Sequence, residues 1–257
     1  MARPMMRSVF RPLELQWKSL LLAAVPLRED FTLVTGADRT HYKSMGNLLR
    51  SVARWEPRIR CLVYDLGLSP DQREEFSAEF PALEVRRFDY SKYPAYFNIR
   101  VNAGEYAWKP VIFAEVFHEA GGCVAWFDAG NLLTEPLTRL RKVVGWKGFY
   151  SPFAKGTVAE WTHPATLACM KVDKSIYSKQ NLAGYCVAAD CRSPKAREFV
   201  ERWKECALEK DCIAPAGSDR SNHRQDMSIL SILAYQLKLP LFLSRFRLGF
   251  ECQQDVD

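Results

Sequence analysis

Short, wholly apolar runs alternate with segments of helical period through the first half of this chain. That alternation constrains the architecture more than any other feature. Phe31-Thr-Leu-Val-Thr35 reads as a buried strand, broken by Gly36-Ala-Asp38. From Tyr42 to Trp55 the apolar positions Met45, Leu48, Leu49 and Val52 keep the spacing of one helical face. Arg60-Cys-Leu-Val-Tyr64 is a second strand, followed by Asp65-Leu-Gly67. Ser69-Pro70 then starts a helix, with serine as cap and proline in the first turn. Leu83 to Phe88 is a third, alternating strand. Ala107 to Ala120 is helical despite Pro110 and stops at Gly121-Gly122. Cys123-Val-Ala-Trp-Phe127 is apolar throughout and ends at Asp128. Strand–helix repetition with fully apolar strands predicts an open, mostly parallel sheet with helices on both faces, an α/β fold.

The second half is less regular. Gly148-Phe-Tyr-Ser and Ala183-Gly-Tyr-Cys-Val-Ala-Ala read as strands, and Ser193-Pro194 caps a helix running to about Leu208. A Pro-, Gly-, Ser- and Asp-rich loop fills 214–222, and a last helix is expected from about Gln225 to Leu237. No repeat or low-complexity tract interrupts the 257 residues, and 48% hydrophobic with 12% aromatic content supplies a core. The organisation expected is a basic and apolar extension over 1–30, a single domain over 31–245 and a tail over 246–257. The apolar run Leu20 to Leu27 is too short to cross a bilayer and lacks the small-residue site that follows a signal peptide.

The net charge of +6 lies wholly in residues 1–60, where 11 Lys/Arg face 5 Asp/Glu, and the remainder holds 25 of each. A basic first quarter suits phosphate-bearing ligands or peripheral contact with an anionic membrane, or is a solvated surface. No nucleic-acid-binding pattern accompanies it, so nucleic acid is not an expected partner. The location expected is cytoplasmic or membrane-peripheral, or the Golgi lumen where an anchor precedes the chain. Eight cysteines include Cys186-x4-Cys191 and Cys206-x5-Cys212, but no Cys-x2-Cys pair supports zinc.

Ligands of open α/β sheets gather at the carboxyl ends of the strands. Thr35-Gly36-Ala37-Asp38, Asp65-Leu66-Gly67 and Asp128-Ala129-Gly130-Asn131 each place Asp and Gly there. One such motif is an ordinary turn, whereas three on one sheet edge favour a ligand. The dinucleotide fingerprint, the P-loop and the Gly-x-Ser-x-Gly elbow are all missing from the sequence.

The runs FTLVTGADRTHY, YAWKPVIFAEVF, CVAWFDAGN and HRQDMSILSIL, in that order, resemble nucleotide-sugar glycosyltransferases of the GT-A fold, over roughly residues 30–240. The likeness is to a group of polysaccharide- or glycan-assembling transferases. It implies a hexosyltransferase that takes a nucleoside diphosphate sugar, with UDP as nucleotide, and a glycan acceptor. It maps the nucleotide base onto Thr35, Gly36 and Asp38, and the Asp-x-Asp motif of ribose and metal-bound diphosphate onto Asp128-Ala129-Gly130. The second carboxylate of that motif is absent. Either Asp128 still holds Mn2+ or Mg2+, with Asn131 or a later residue helping, or Lys109 or Arg224 neutralises the diphosphate without metal. Gln225 joins Arg224 in the donor set.

Glu160-Trp161-Thr162-His163-Pro164 offers an aromatic face and a histidine for an acceptor sugar, as does His223; the alternative is a structural loop around a buried tryptophan. Asp226 is the catalytic candidate, a general base if the transfer inverts, and its place at a helix start predicts a low pKa. Two rival functions remain: a GT-A-like module that binds nucleotide or glycan without turnover, and a sugar-phosphate nucleotidyltransferase, which Gly36-Ala-Asp-Arg39 is too glycine-poor to favour.

Overall fold

The computed structural model describes residues 22–242 and 248–257. Most of the basic extension, with its expected membrane contact, lies outside the described residues. A six-stranded sheet forms the centre, with β1 (Phe31–Asp38), β2 (Arg60–Gly67), β3 (Glu84–Arg87), β4 (Cys123–Phe127), β6 (Phe149–Tyr150) and β9 (Cys186–Asp190) in the order β3-β2-β1-β4-β9-β6. β3, β2, β1 and β4 run parallel, β9 is antiparallel to β4, and β6 is antiparallel to β9. The mostly parallel α/β sheet expected from the sequence is therefore present.

Successive strand residues point to opposite faces, so each apolar strand feeds two cores. Leu33, Cys61, Val63, Ala125 and Phe127 pack on one side. There they meet α1 (Tyr42–Trp55) through Met45, Leu48, Leu49 and Val52, and α4 (Thr138–Lys147) through Leu140, Val143 and Val144. Val34, Leu62, Tyr64, Val124 and Trp126 pack on the other side. Their partners are α3 (Trp108–Ala120), α6 (Pro194–Leu208) and α8 (Gln225–Gln236), which contribute Phe113, Phe117, Phe199, Trp203 and Ile229. Burial on both faces explains why these strands carry no polar alternation.

Helix boundaries follow local chemistry. Ser69 and Gln72 make a reciprocal capping box on α2 (Pro70–Glu79). Ser193 accepts from Ala196 N at 3.3 Å to open α6, and Gly121 ends α3 in the left-handed conformation. Two small antiparallel pairs complete the chain. β5 (Leu132–Leu133) pairs with β10 (Phe250–Glu251), and β7 (Phe153–Thr157) with β8 (Gln180–Leu182). Two short helices, α5 (Pro164–Cys169) and α7 (Lys210–Ile213), pack beneath the second half. Gly148 caps α4 instead of opening a strand, and Gly184-Tyr185 form a turn ahead of β9. All eight cysteines are free thiols, and no group of three His, Cys, Asp or Glu among the described residues is placed to hold a metal. No helix among the described residues is long and apolar enough to cross a membrane.

Candidate active site

A cleft of about 610 Å³ opens at the carboxyl ends of β1 and β4, beside the start of α8. Gly36 and Asp38 enter from β1, Lys109 from α3, and Asp128, Gly130 and Asn131 from the loop after β4. Arg224, Gln225 and Asp226 close it from the start of α8. Nine residues scattered from 36 to 226 in the sequence thus share one cleft.

Its floor is a charge triad, with Lys109 and Asp226 buried and Asp128 partly exposed. Lys109, 3% exposed, places Nζ 2.8 Å from Asp128 Oδ1 and 3.3 Å from Asp226 Oδ2, and donates to Gly184 O at 3.3 Å. The ammonium charge is thereby committed to two carboxylates. Burial alone would lower the Lys109 pKa, but Asp128 and Asp226 outweigh it and the net shift is upward. Asp128 Oδ1 also accepts from Trp126 Nε1 at 2.6 Å, fixing that carboxylate to the end of β4. Asp226 is only 4% exposed, and its Oδ2 meets the ammonium at an angle that makes an ion pair without a hydrogen bond. Its pKa is raised: burial pushes it up, Lys109 opposes and Asp128 adds. The low value expected from the helix start is therefore corrected, because desolvation outweighs the favourable end of the helix.

The loop after β4 is sewn to the turn before β9. Asn131 Nδ2 donates to Asp128 O at 3.0 Å and to Tyr185 O at 2.7 Å, and Asp128 N donates to Tyr185 O at 2.9 Å. Asn131 Oδ1 is buried with no hydrogen-bond partner. Gly184 in that turn has no left-handed backbone, yet a Cβ there would lie 3.0 Å from Asp226 Oδ2 and 3.6 Å from Lys109 Nζ. Glycine at 184 keeps space open above the triad.

Asp38 Oδ1 accepts from Thr40 N at 3.0 Å and Thr40 Oγ1 at 2.7 Å, and contacts His41 Nδ1 at 3.2 Å. Burial would raise its pKa, but the bonds from His41 and Thr40 prevail and hold it at about 2. Asp65, buried near the end of β2, accepts from Gly67 N at 2.8 Å and Leu68 N at 2.7 Å, so it shapes the turn that follows.

Four expected residues do not line the cleft. Strand alternation sends Thr35 to the α1 face with Leu33 and Ala37, and its Oγ1 is buried without a partner. His163 caps α5, accepting from Ala165 N at 3.2 Å. His223 is wholly buried: Nδ1 accepts from His163 N at 3.3 Å and Nε2 donates to Ile213 O at 2.9 Å. With both nitrogens engaged, burial lowers its pKa to about 4 and leaves it neutral, a structural link and not an acceptor contact. Trp161 stacks under the Arg224 guanidinium at 4.1 Å and accepts from Arg224 N at 3.2 Å through its carbonyl. Trp161 itself is half-buried, not buried as the structural-loop alternative has it.

Several lining residues had no signal in the sequence. Asn102 to Tyr106 run through five consecutive left-handed conformations, φ between 48° and 62°, and turn Ala103 and Tyr106 into the cleft. Gly104 is required there, since a Cβ would stand 2.3 Å from Phe97 O. Gln253 and Asp255 reach the cleft from the C-terminal segment, which β10 tethers to β5.

With that geometry in place, comparison with known proteins fixes the fold. Among solved structures the chain is similar to the apo structure of the bifunctional glycosyltransferase WbbM, with TM-score 0.51 and 14% identity over 83% of this chain and 38% of that one. The architecture is a GT-A-type glycosyltransferase fold. The galactosyltransferase LgtC, in complex with donor and acceptor sugar analogs, aligns at TM-score 0.48 and 17% identity over 79% of this chain and 70% of that one. The chain thus spans about two fifths of the WbbM structure, 38% of its length. A family model described as "Protein of unknown function (DUF1647)" matches residues 16–114. No curated protein matches the sequence.

Proposed function

We propose that this chain transfers a hexose from a nucleoside diphosphate sugar, with UDP as nucleotide, to a glycan acceptor. The observation that carries this reading is the Asp128–Lys109–Asp226 triad at the floor of a strand-end cleft in a GT-A-type fold. The base and ribose lie toward Gly36 and Asp38, whose carboxylate stays ionised and able to accept from hydroxyl or ring N–H groups. The diphosphate faces the loop Asp128–Asn131, and the sugar lies over Gly184, above Asp226.

The GT-A fold implies a divalent cation, and the loop fits one: Asp128 offers a carboxylate and Asn131 an orphaned amide oxygen, both hard donors. Such a cation supplies charge neutralisation of the leaving diphosphate. Fewer than three protein carboxylates suits a hard cation whose shell is completed by phosphate oxygens. Lys109 acts as a positioning residue, holding both carboxylates in register and keeping Asp226 from being an isolated buried charge. Asp226, with its raised pKa, is the group that accepts a proton from an acceptor hydroxyl or faces the anomeric centre.

The test is nucleotide release from a panel of UDP- and GDP-sugars with glycan acceptors. Wild type should turn over one donor, and Asp226→Asn should lower kcat by at least about a hundredfold while keeping donor affinity. Gly184→Ala should also lower kcat, by placing a methyl group against the Asp226 carboxylate, and should weaken donor binding because the sugar lies over that position. Saturable nucleotide binding with no turnover, insensitive to Asp226→Asn, identifies a binding module and overturns the transferase reading.

A further inference from the structure

Gly130 stands where the Asp-x-Asp pattern has its second carboxylate, and its backbone does not explain the glycine. Its φ lies outside the left-handed region, so any residue could adopt it. What a side chain there would meet is another residue's carboxylate. A Cβ built on Gly130 would lie 2.4 Å from both Oδ1 and Oδ2 of Asp255, and 2.6 Å from its Cγ. A carboxylate from the C-terminal segment therefore occupies the volume that a side chain at 130 would fill.

That segment is pinned on both sides of Asp255. Phe250 and Glu251 pair with Leu133 and Leu132, and Gln254 N donates to Gly130 O at 2.8 Å. Beyond it, Val256 N donates to Ser44 Oγ at 3.0 Å, and the Asp257 carboxylate accepts from Lys43 N at 2.8 Å and Ser44 N at 2.9 Å at the start of α1. Among the described residues the Asp255 carboxylate accepts no hydrogen bond, and the charge it acts on is that of His41, whose pKa it helps to raise. The neighbouring Asn131, 2% exposed and lining the same cleft, independently leaves Oδ1 buried and unpartnered.

We infer that Asp255 replaces the carboxylate missing at position 130 and, with Asp128 and the Asn131 oxygen, forms a divalent-cation site that receives a nucleoside diphosphate. This rests on the donor-site reading above and names the ligand set that reading lacks. The donors are all hard oxygens, which selects Mg2+ or Mn2+ over softer metals. Asp128 and Asp255 line one cleft, where two carboxylates disfavour a diphosphate and a cation between them reverses that sign.

Calorimetric titration with UDP and with GDP, with and without Mn2+, tests the assignment on wild type, Asp255→Asn and the exchange variant Gly130→Asp/Asp255→Gly. Electron paramagnetic resonance of Mn2+ gives a readout independent of turnover. Wild type should bind one nucleotide in a Mn2+-dependent manner. Asp255→Asn should weaken that binding by about tenfold or more, as loss of metal-site groups commonly does, with an unchanged melting temperature. Returning the carboxylate to position 130 in the exchange variant should restore it. Wild-type nucleotide binding that ignores Mn2+, or that Asp255→Asn leaves unchanged, overturns the inference and leaves the donor site standing. Failure of wild type to bind either nucleotide under any condition overturns the donor site as well.

Discussion

Replacing Lys109 with methionine keeps the aliphatic stem and removes the charge that two carboxylates share. Asp128 is partly solvated, so the loss falls on Asp226, which is 4% exposed and 3.3 Å from the ammonium. At an effective dielectric near 20, unit charges at that separation interact by about 5 kcal/mol. Relief of the lysine's own desolvation offsets part of this, and breaking buried pairs from one side costs about 3–5 kcal/mol. For a chain of this size that lowers the melting temperature by about 6–20 °C. Asp226→Asn in the same background removes the stranded charge and should recover more than half of the loss. The sign of the pH dependence follows from the direction of the Asp226 shift. Its folded pKa lies above the unfolded one, so between the two the folded state holds a proton that the unfolded state lacks. Stability then rises as pH falls, and the Lys109→Met penalty should shrink from pH 7 toward about pH 5, while the double variant shows no such slope. Urea titrations across that range, followed by tryptophan fluorescence, measure both quantities. A Lys109→Met protein within about 1 kcal/mol of wild type at pH 7, with an unaltered slope, refutes the description of Lys109 as the counter-charge of a buried Asp226.

Three further outcomes are open to direct measurement. His223 has a folded pKa near 4, below its unfolded value near 6.5, so stability should fall by about 3 kcal/mol as pH drops across that window, and His223→Gln should flatten this slope in urea titrations. Asp257→Ala removes the carboxylate that accepts from two first-turn amides of α1 and should cost about 1 kcal/mol, read as a fall of about 2–4 °C in melting temperature. Ala103→Gly relieves a left-handed alanine worth about 1–2 kcal/mol against about 0.5–1 kcal/mol of added chain entropy. It should therefore be neutral or slightly stabilising in the same melts, whereas Ala114→Gly inside α3 should destabilise by about 1 kcal/mol or more.

The sheet was legible because its strands are buried on both faces. Runs such as Cys123–Phe127 cannot be amphipathic helices of adequate length, and the capped, periodic segments between them leave a parallel crossover as the economical connection. The short pairs were not legible. β5 and β10 contribute two residues each and find one another across more than a hundred positions, so no local period marks them. The loop 160–164 reads as a sugar-binding surface in sequence because it is polar and aromatic. In the structure His163 caps a helix start and Trp161 stacks on Arg224, while His223, outside that loop, binds two backbone partners.

The site itself was half legible, and the two glycines at its rim show why. In a sequence, glycine after a strand signals a turn, and that expectation treats the residue as a backbone device. Neither Gly130 nor Gly184 needs its conformational freedom. Each is defined by what stands where its Cβ would be: the Asp255 carboxylate against the first, the Asp226–Lys109 pair against the second. Space reserved for a distant residue leaves no local pattern, since the residue that fills it belongs to another part of the chain. The carboxylates Asp128 and Asp226 could be nominated one by one from strand ends and helix starts. Their coupling through Lys109, and the burial that raises the pKa of Asp226 where a helix start alone predicts a low one, exist only once α3, β4 and α8 are packed together.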